Sequence, residues 1–330
     1  MILAERISKY YGALAAISDL TFCAAPGEVV GLLGLNGAGK TTTLRILSGL
    51  LVPTAGKVVI DGIDMAEEPE AARARIGFLP ESPPLYPEMT VDAFLRFVAR
   101  INGVNDGLDA AVASAAAATG TTEKLQQRIG TLSHGFQRRV GIAHASVHNP
   151  KLILLDEPTG ALDPVQIVHM RELIRSLRAD RTIIVSSHIL SEVRQMCDRI
   201  LVLHQGKKIA EGTPDELQGT ANTAARLAVD LEVRGSREAL ARALAKVGGV
   251  AAHRVASEND DVVAAVVQLE HDCREELVAA LLQAGLGLRH LARAESGLES
   301  VFLKLTAEPG LSPPPPPPPP LAPAKEQAHA

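Results

Sequence analysis

Short runs of apolar residues bounded by turn formers punctuate the first two thirds of the 330-residue chain, at positions 28–33, 152–155, 182–186 and 200–203. Uninterrupted apolar strands of this kind are buried on both faces, as in a parallel sheet covered by helices. Between the first and second run lies a stretch over about 82–148 that is rich in alanine and spaced like helix, clearest at 110–118. It predicts a helical subdomain inserted into an α/β core. After about residue 220 the pattern changes to strand 226–233, helix 236–247, strands 250–256 and 262–269, helix 274–285 and strand 287–291. The order βαββαβ predicts a small C-terminal α+β domain, ferredoxin-like, over 225–306. An amphipathic segment at 298–305 is expected to pack on this domain or on the first. Residues 313–320 are eight consecutive prolines, which make 307–330 a disordered, extended tail. It reads as a spacer, with a ligand for a proline-binding domain as the alternative.

Composition narrows the picture without changing it. With 46% hydrophobic and 22% charged residues, the chain can bury the cores of two domains. A net charge of −5 lacks the basic excess of a chain whose main partner is nucleic acid, so none is expected. Cys23, Cys197 and Cys273 are odd in number and far apart, which suits reduced thiols and neither a disulfide framework nor a metal site. No apolar stretch approaches the roughly 20 residues that span a bilayer, and the first twelve residues lack the apolar core of a signal peptide. A membrane role would therefore come through a partner.

The chemistry begins where the first apolar run ends. Gly34-Leu35-Asn36-Gly37-Ala38-Gly39-Lys40-Thr41-Thr42 is a glycine-rich loop closing on Lys-Thr, between an apolar strand and a helical run. That is a phosphate-binding loop in its strand-to-helix context. Its glycines admit backbone angles that let successive N–H groups turn inward around a phosphate chain, and the helix adds its positive end. Lys40 would reach the terminal phosphates, the Thr41 hydroxyl would ligate magnesium, and Thr42 would touch the inner phosphates. Further on, residues 151–159 form a buried strand ending in Asp156 and Glu157. Adjacent strand residues face opposite sides, so one carboxylate can serve magnesium while the other faces water. Asp156 is read as the magnesium partner and Glu157 as the general base that orients the attacking water.

With five further pieces, residues 1 to about 215 resemble the nucleotide-binding subunit of ATP-binding cassette (ABC) transporters. The resemblance implies a P-loop NTPase fold, an ABC ATPase domain over 1–220 with an inserted helical subdomain, binding ATP and Mg2+. It implies that Tyr11 stacks on adenine. Leu132-Ser133-His134-Gly135 resembles the signature segment, where Ser133, Gly135 and Gln137 would meet the terminal phosphate held by an opposing subunit. Here the chain departs from the commonest form at His134 and Phe136. Ala161-Leu162-Asp163-Pro164 resembles the loop that passes between two sites and places Asp163 there, with Ala161 in place of a frequent glycine. His188, after Ser186-Ser187, resembles the switch histidine at the terminal phosphate, so the implied catalytic set is Lys40, Glu157 and His188. Glu81 stands where the family usually has glutamine, at a position that ligates magnesium and signals to the membrane partner. A carboxylate can still ligate the ion, so altered affinity is expected more than lost activity. Residues 79–91 and 298–305 are similar to the exporter-type branch associated with gliding motility and with drug or polysaccharide export.

On this resemblance the chain is expected at the cytoplasmic face of the cell membrane, pairing with a second copy or a related cassette. Two subunits would clamp two Mg-ATP, and a groove near residues 81–89 would receive a helix of a separate polytopic membrane subunit. A soluble ABC-type switch acting on nucleic acid or ribosomes is the competing class. Its relatives carry paired cassettes or long coiled-coil insertions, which are absent here. A sensor that binds without turnover is a third reading, disfavoured by intact Lys40, Asp156, Glu157 and His188. The transported substrate is met by another chain.

Overall fold

A computed structural model describes residues 1–178, 181–217, 227–259 and 261–293. The expected amphipathic segment 298–305 and the proline tail lie outside the described residues. The chain divides into one unit over Met1–Glu211 and a second beginning at Gly212.

In the first unit, the apolar runs become strands β3 (Val29–Leu33), β7 (Leu152–Asp156), β8 (Thr182–Ser187) and β9 (Arg199–His204), and every residue of β3, β7 and β8 is buried. Two more strands, β6 (Ile76–Leu79) and β10 (Lys207–Gly212), complete a sheet of order β10-β9-β3-β8-β7-β6. The pairs from β9 through β6 are parallel.

A second sheet had no counterpart in the sequence reading. It has the order β2-β1-β4-β5, from β1 (Ile2–Tyr11), β2 (Leu14–Ala24), β4 (Ala55–Ile60) and β5 (Ile63–Asp64), all pairs antiparallel. Bulges hide its alternation. Arg6 and Asp19 adopt φ of 49° and 52°, and the Arg6 Nε donates to Asp19 Oδ1 at 2.8 Å across the ladder. The extra residues shift the in-out phase of both strands midway, so a period-two search sees fragments. Gly56 lies against this bulge: a Cβ there would sit 2.4 Å from the Arg6 carbonyl oxygen.

The main core lies between the two sheets. Ile2, Ile7, Ile17, Leu20 and Phe22 of the antiparallel sheet share it with Val30, Leu32, Leu152, Leu154 and Ile184 of the parallel one. Helix α1 (Lys40–Leu47) contributes Leu44, Ile46 and Leu47 to the same core.

The alanine-rich stretch folds as α3 (Val91–Ile101), α4 (Leu108–Thr119) and α5 (His134–Ser146), after a short α2 (Pro69–Arg73) that precedes β6. These three helices enclose their own core around Val91, Phe94, Leu95, Val112, Ala115, Ile129, Val140 and Ala143. Thr90 caps α3 by accepting from the Ala93 N–H at 3.2 Å. Helices α6 (Pro164–Ser176) and α7 (Leu190–Met196) complete the unit.

The second unit contains β11 (Leu227–Arg234), α8 (Arg237–Leu244), β12 (Val250–Asn259), β13 (Val262–Leu269), α9 (Arg274–Gln283) and β14 (Gly287–Arg293). Its sheet has the order β12-β13-β11-β14 with every pair antiparallel, which is the ferredoxin-like arrangement. Alternate residues Val229, Leu231, Val233, Val263, Ala265 and Val267 meet Leu240, Leu244, Leu277 and Leu281 in one core. The Ser236 hydroxyl caps α8 by accepting from the Ala239 N–H at 3.3 Å.

Gly77 is where α5 meets the edge of the parallel sheet: a Cβ on it would lie 1.7 Å from the Ala145 carbonyl oxygen. Gly77→Ala is therefore expected to lower the free energy of unfolding by about 3 kcal/mol in a urea titration. Gly248→Ala, with open space around it, is expected to change it by less than about 0.5 kcal/mol.

Candidate active site

Parallel pairing sets Leu33 opposite Ser187 and Asp156 opposite Ser186, so the carboxyl ends of β3, β8 and β7 stand side by side. The loops that follow these ends form one wall, the place where open α/β sheets bind ligands. The glycine loop leaves β3 and enters α1 at Lys40, with Gly39 at φ 103° as the N-cap. A Cβ on Gly39 would lie 2.7 Å from the Ala16 carbonyl oxygen, and one on Gly34 2.7 Å from that of Leu203. Backbone on both sides thus requires glycine. The loop is tied by Ala38 N–H to Leu35 O at 3.0 Å and Gly206 N–H to Ala38 O at 3.1 Å.

Lys40 is 6% exposed. Its Nζ donates to the carbonyl oxygens of Gly34 at 2.7 Å and Leu35 at 3.3 Å, and lies 3.4 Å from Glu157 Oε1. The other Glu157 oxygen meets His188 Nδ1 at 3.0 Å. Glu157 therefore links the lysine and the histidine. Behind it, Asp156 is 1% exposed and accepts from the Ser186 hydroxyl at 2.6 Å, while that hydroxyl accepts from the Glu157 N–H at 2.9 Å. The two carboxylates do separate, but not by strand alternation. Strand β7 ends at Asp156, and Glu157 takes a φ of 46°, so a left-handed turn aims its side chain.

Residues Leu35, Asn36, Gly37, Ala38, Gly39, Lys40, Thr41 and Thr42 line a cavity of about 590 Å³ together with Tyr11, Glu81, Glu157 and His188. Tyr11 ends β1, is 51% exposed and has Lys9 Nζ 5.6 Å from its ring centre. Gly34 is buried behind the loop and Asp156 beneath the wall.

The remaining expected residues do not line this cavity. Ser133 caps α5, accepting from the Phe136 N–H, and Asp163 caps α6, accepting from the Gln166 N–H at 2.9 Å. Gly135 is packed so that a Cβ would lie 2.9 Å from Gln166 Oε1. Gln137 directs its amide inward, onto the carbonyl oxygens of Ile129 at 3.2 Å and Leu132 at 3.3 Å. Among the described residues no group of three or more His, Cys, Asp or Glu is arranged as a metal cage.

Three residues escaped the sequence reading. Ser186 enters the sequence analysis as the end of an apolar strand and as a neighbour of His188 with no role of its own, although a hydroxyl facing a strand-end acid is the available signal. Glu192 is buried and accepts from the hydroxyls of Thr159 and Ser187, joining the segments after β7 and β8. Arg138 lines the cavity from α5.

The ABC transporter family model matches residues 17–160. The linearmycin resistance ATP-binding protein LnrL of Bacillus subtilis (strain 168) is 34% identical over 315 residues, covering 93% of this chain and 98% of that protein. The chain belongs to the ABC transporter family. The Nod factor export ATP-binding protein I of Rhizobium etli is 36% identical over 310 residues, covering 91% of each chain. Among solved structures, the ATP-binding subunit of an ABC transporter matches at a TM-score of 0.61 and 32% identity, over 67% of this chain and 93% of that one. A dimeric bacterial ABC transporter cassette, MJ0796, matches at a TM-score of 0.59 and 28% identity, over 64% and 98%; a further structure of that cassette holds ADP and Pi.

The first unit is thus an ABC ATPase domain, a nucleotide-binding domain of a family that hydrolyses ATP. The relatives are transporter and export ATP-binding proteins, which leaves the soluble-switch alternative without support. Ser186→Ala removes the hydroxyl that both carboxylates' geometry depends on. It is expected to reduce ATP turnover by about tenfold while the protein stays folded, measured as phosphate release beside a thermal melt.

Proposed function

We propose that this ABC ATPase is the motor subunit of a membrane exporter, bound to the cytoplasmic face of the cell membrane through a separate polytopic subunit. The observation that carries the proposal is the Lys40, Glu157 and His188 chain on the cavity wall, with contacts of 3.0 to 3.4 Å. The relatives named for linearmycin resistance, Nod factor export and bacitracin transport favour export. Among the described residues no helix is long and apolar enough to cross a membrane, which accords with a separate spanning subunit.

In this reading Tyr11 stacks on the adenine, and the N–H groups of Leu35 to Thr42 surround the phosphates at the start of α1. The oxygen donors Thr41, Asp156 and Glu81 suit magnesium, which takes one or two carboxylates and completes its shell with phosphate and water. The ion would offset charge on the phosphates. Before nucleotide binds, Lys40 is held by two carbonyls and Glu157. A terminal phosphate competes for the ammonium and leaves Glu157 Oε1 free to accept a proton from water, while His188, still on Oε2, orients the carboxylate.

Ser133, Gly135, Gln137 and Asp163 then serve the site of a second cassette, since they stand apart from this chain's own cavity. The accessory domain, 225–306, stabilises or regulates that pair. Tyr86 and Phe97, half-exposed and in edge contact at 6.0 Å, border the segment after Glu81 and offer an apolar seat for a helix of the membrane subunit.

Glu157→Gln is expected to lower turnover at least about 100-fold while retaining MgATP and shifting the protein to a dimer in light scattering. An inert wild type, tested with its membrane partner present, would sink the assignment. Tyr11→Ala is expected to raise the KM for ATP about tenfold with kcat changed much less, in steady-state assays.

A further inference from the structure

Arg138 is 5% exposed, close to the burial of the sheet core, yet a guanidinium keeps its charge in proteins. Its Nη1 donates to the carbonyl oxygen of Glu81, its Nε has no hydrogen-bond partner, and among the described residues it forms no ion pair. It reaches the nucleotide cavity from α5, between the Glu81 segment and Gly160. Burial pulls its pKa down, and the charges of Glu81, Asp156 and Glu157 push the other way. An arginine buried with an unbonded N–H is costly, and such a group calls for an explanation at the site it faces.

The explanation lies in the charge on the wall. Lys40 and Arg138 face the cavity as cations against Glu81 and Glu157, with Asp156 buried beneath. A nucleotide brings several more negative charges. Glu81 makes the wall one charge more negative than a glutamine there would, and Arg138, bonded to the same residue's backbone, supplies the missing positive charge. We propose that Arg138 is a positioning residue that offsets the Glu81 carboxylate and holds the Glu81 segment to α5, so that this wall can accept phosphate. The inference rests on reading the cavity as the nucleotide site. It makes Glu81 and Arg138 a compensated pair whose members depend on each other: either substitution alone unbalances the wall, and both together restore it.

The test is a double-mutant cycle on the full-length chain, reading MgADP affinity by calorimetry and the KM for MgATP. Arg138→Gln is expected to weaken both about tenfold. Glu81→Gln added to Arg138→Gln is expected to bring both back to within about threefold of wild type. Arg138→Lys, which keeps the charge and loses the planar fork, is expected to stay closer to wild type than Arg138→Gln. Melting temperatures accompany each variant, so that Arg138→Lys carries the comparison if Arg138→Gln does not fold. A double variant as weak as Arg138→Gln alone, or an Arg138→Gln affinity equal to wild type, overturns the inference while the nucleotide site stands. Failure of the wild type to bind either nucleotide overturns the reading of the cavity itself.

Discussion

The register of three parallel strands is the constraint on which the site depends. Because β8 lies between β3 and β7, with Ser187 opposite Leu33 and Ser186 opposite Asp156, the glycine loop, the acidic pair and His188 leave the sheet at one level. A slip of one residue would turn Ser186 to the opposite face of the sheet, away from Asp156, and, because both faces of β8 are buried, would mispack the apolar residues on either side, so burial of the whole strand and placement of the groups at its end are one condition. The Ser186 hydroxyl makes that condition local: it holds a carboxylate with one bond and the backbone of the next residue with another.

Around this centre, charge is spent on geometry more than on stability. Lys40 is buried among carbonyls and one carboxylate, an arrangement that costs desolvation and leaves the ammonium poised for a better anion. Glycine at positions 34 and 39 has a steric cause in each case, a carbonyl oxygen where a side chain would start. The antiparallel sheet supplies one of these carbonyls, Ala16, and thereby shapes the phosphate loop from outside the parallel core.

Much of the parallel sheet and the glycine loop could be read from the chain, because fully buried strands and a run of GLNGAGKTT carry local signals. The βαββαβ order of the second unit was legible for the same reason, with a nearly unbroken apolar run over Val262–Leu269 whose alternating burial only the structure reveals. The antiparallel sheet was not, since bulges at Arg6 and Asp19 break its period, and β5 is two residues long. On the cavity wall, Lys40 and Glu157 were expected from residue type and position and His188 from the family resemblance, whereas Ser186, Glu192 and Arg138 owe their placement to neighbours distant in sequence, which spacing alone does not reveal. The reason for the separation of Asp156 from Glu157 also lay beyond sequence: a positive φ replaces the pleat.

Ser133, Gly135 and Asp163 stand on helix ends away from the cavity that holds Lys40. In the proposed pairing each half of the working site sits on a different molecule, so the output of the free cassette would be second order in its own concentration. The proposed attachment of two copies to one membrane complex would replace that dependence by a fixed local concentration, on the order of millimolar for short tethers. On that proposal a membrane partner would set the duty cycle of the motor before any substrate is moved, simply by keeping two copies within reach of each other.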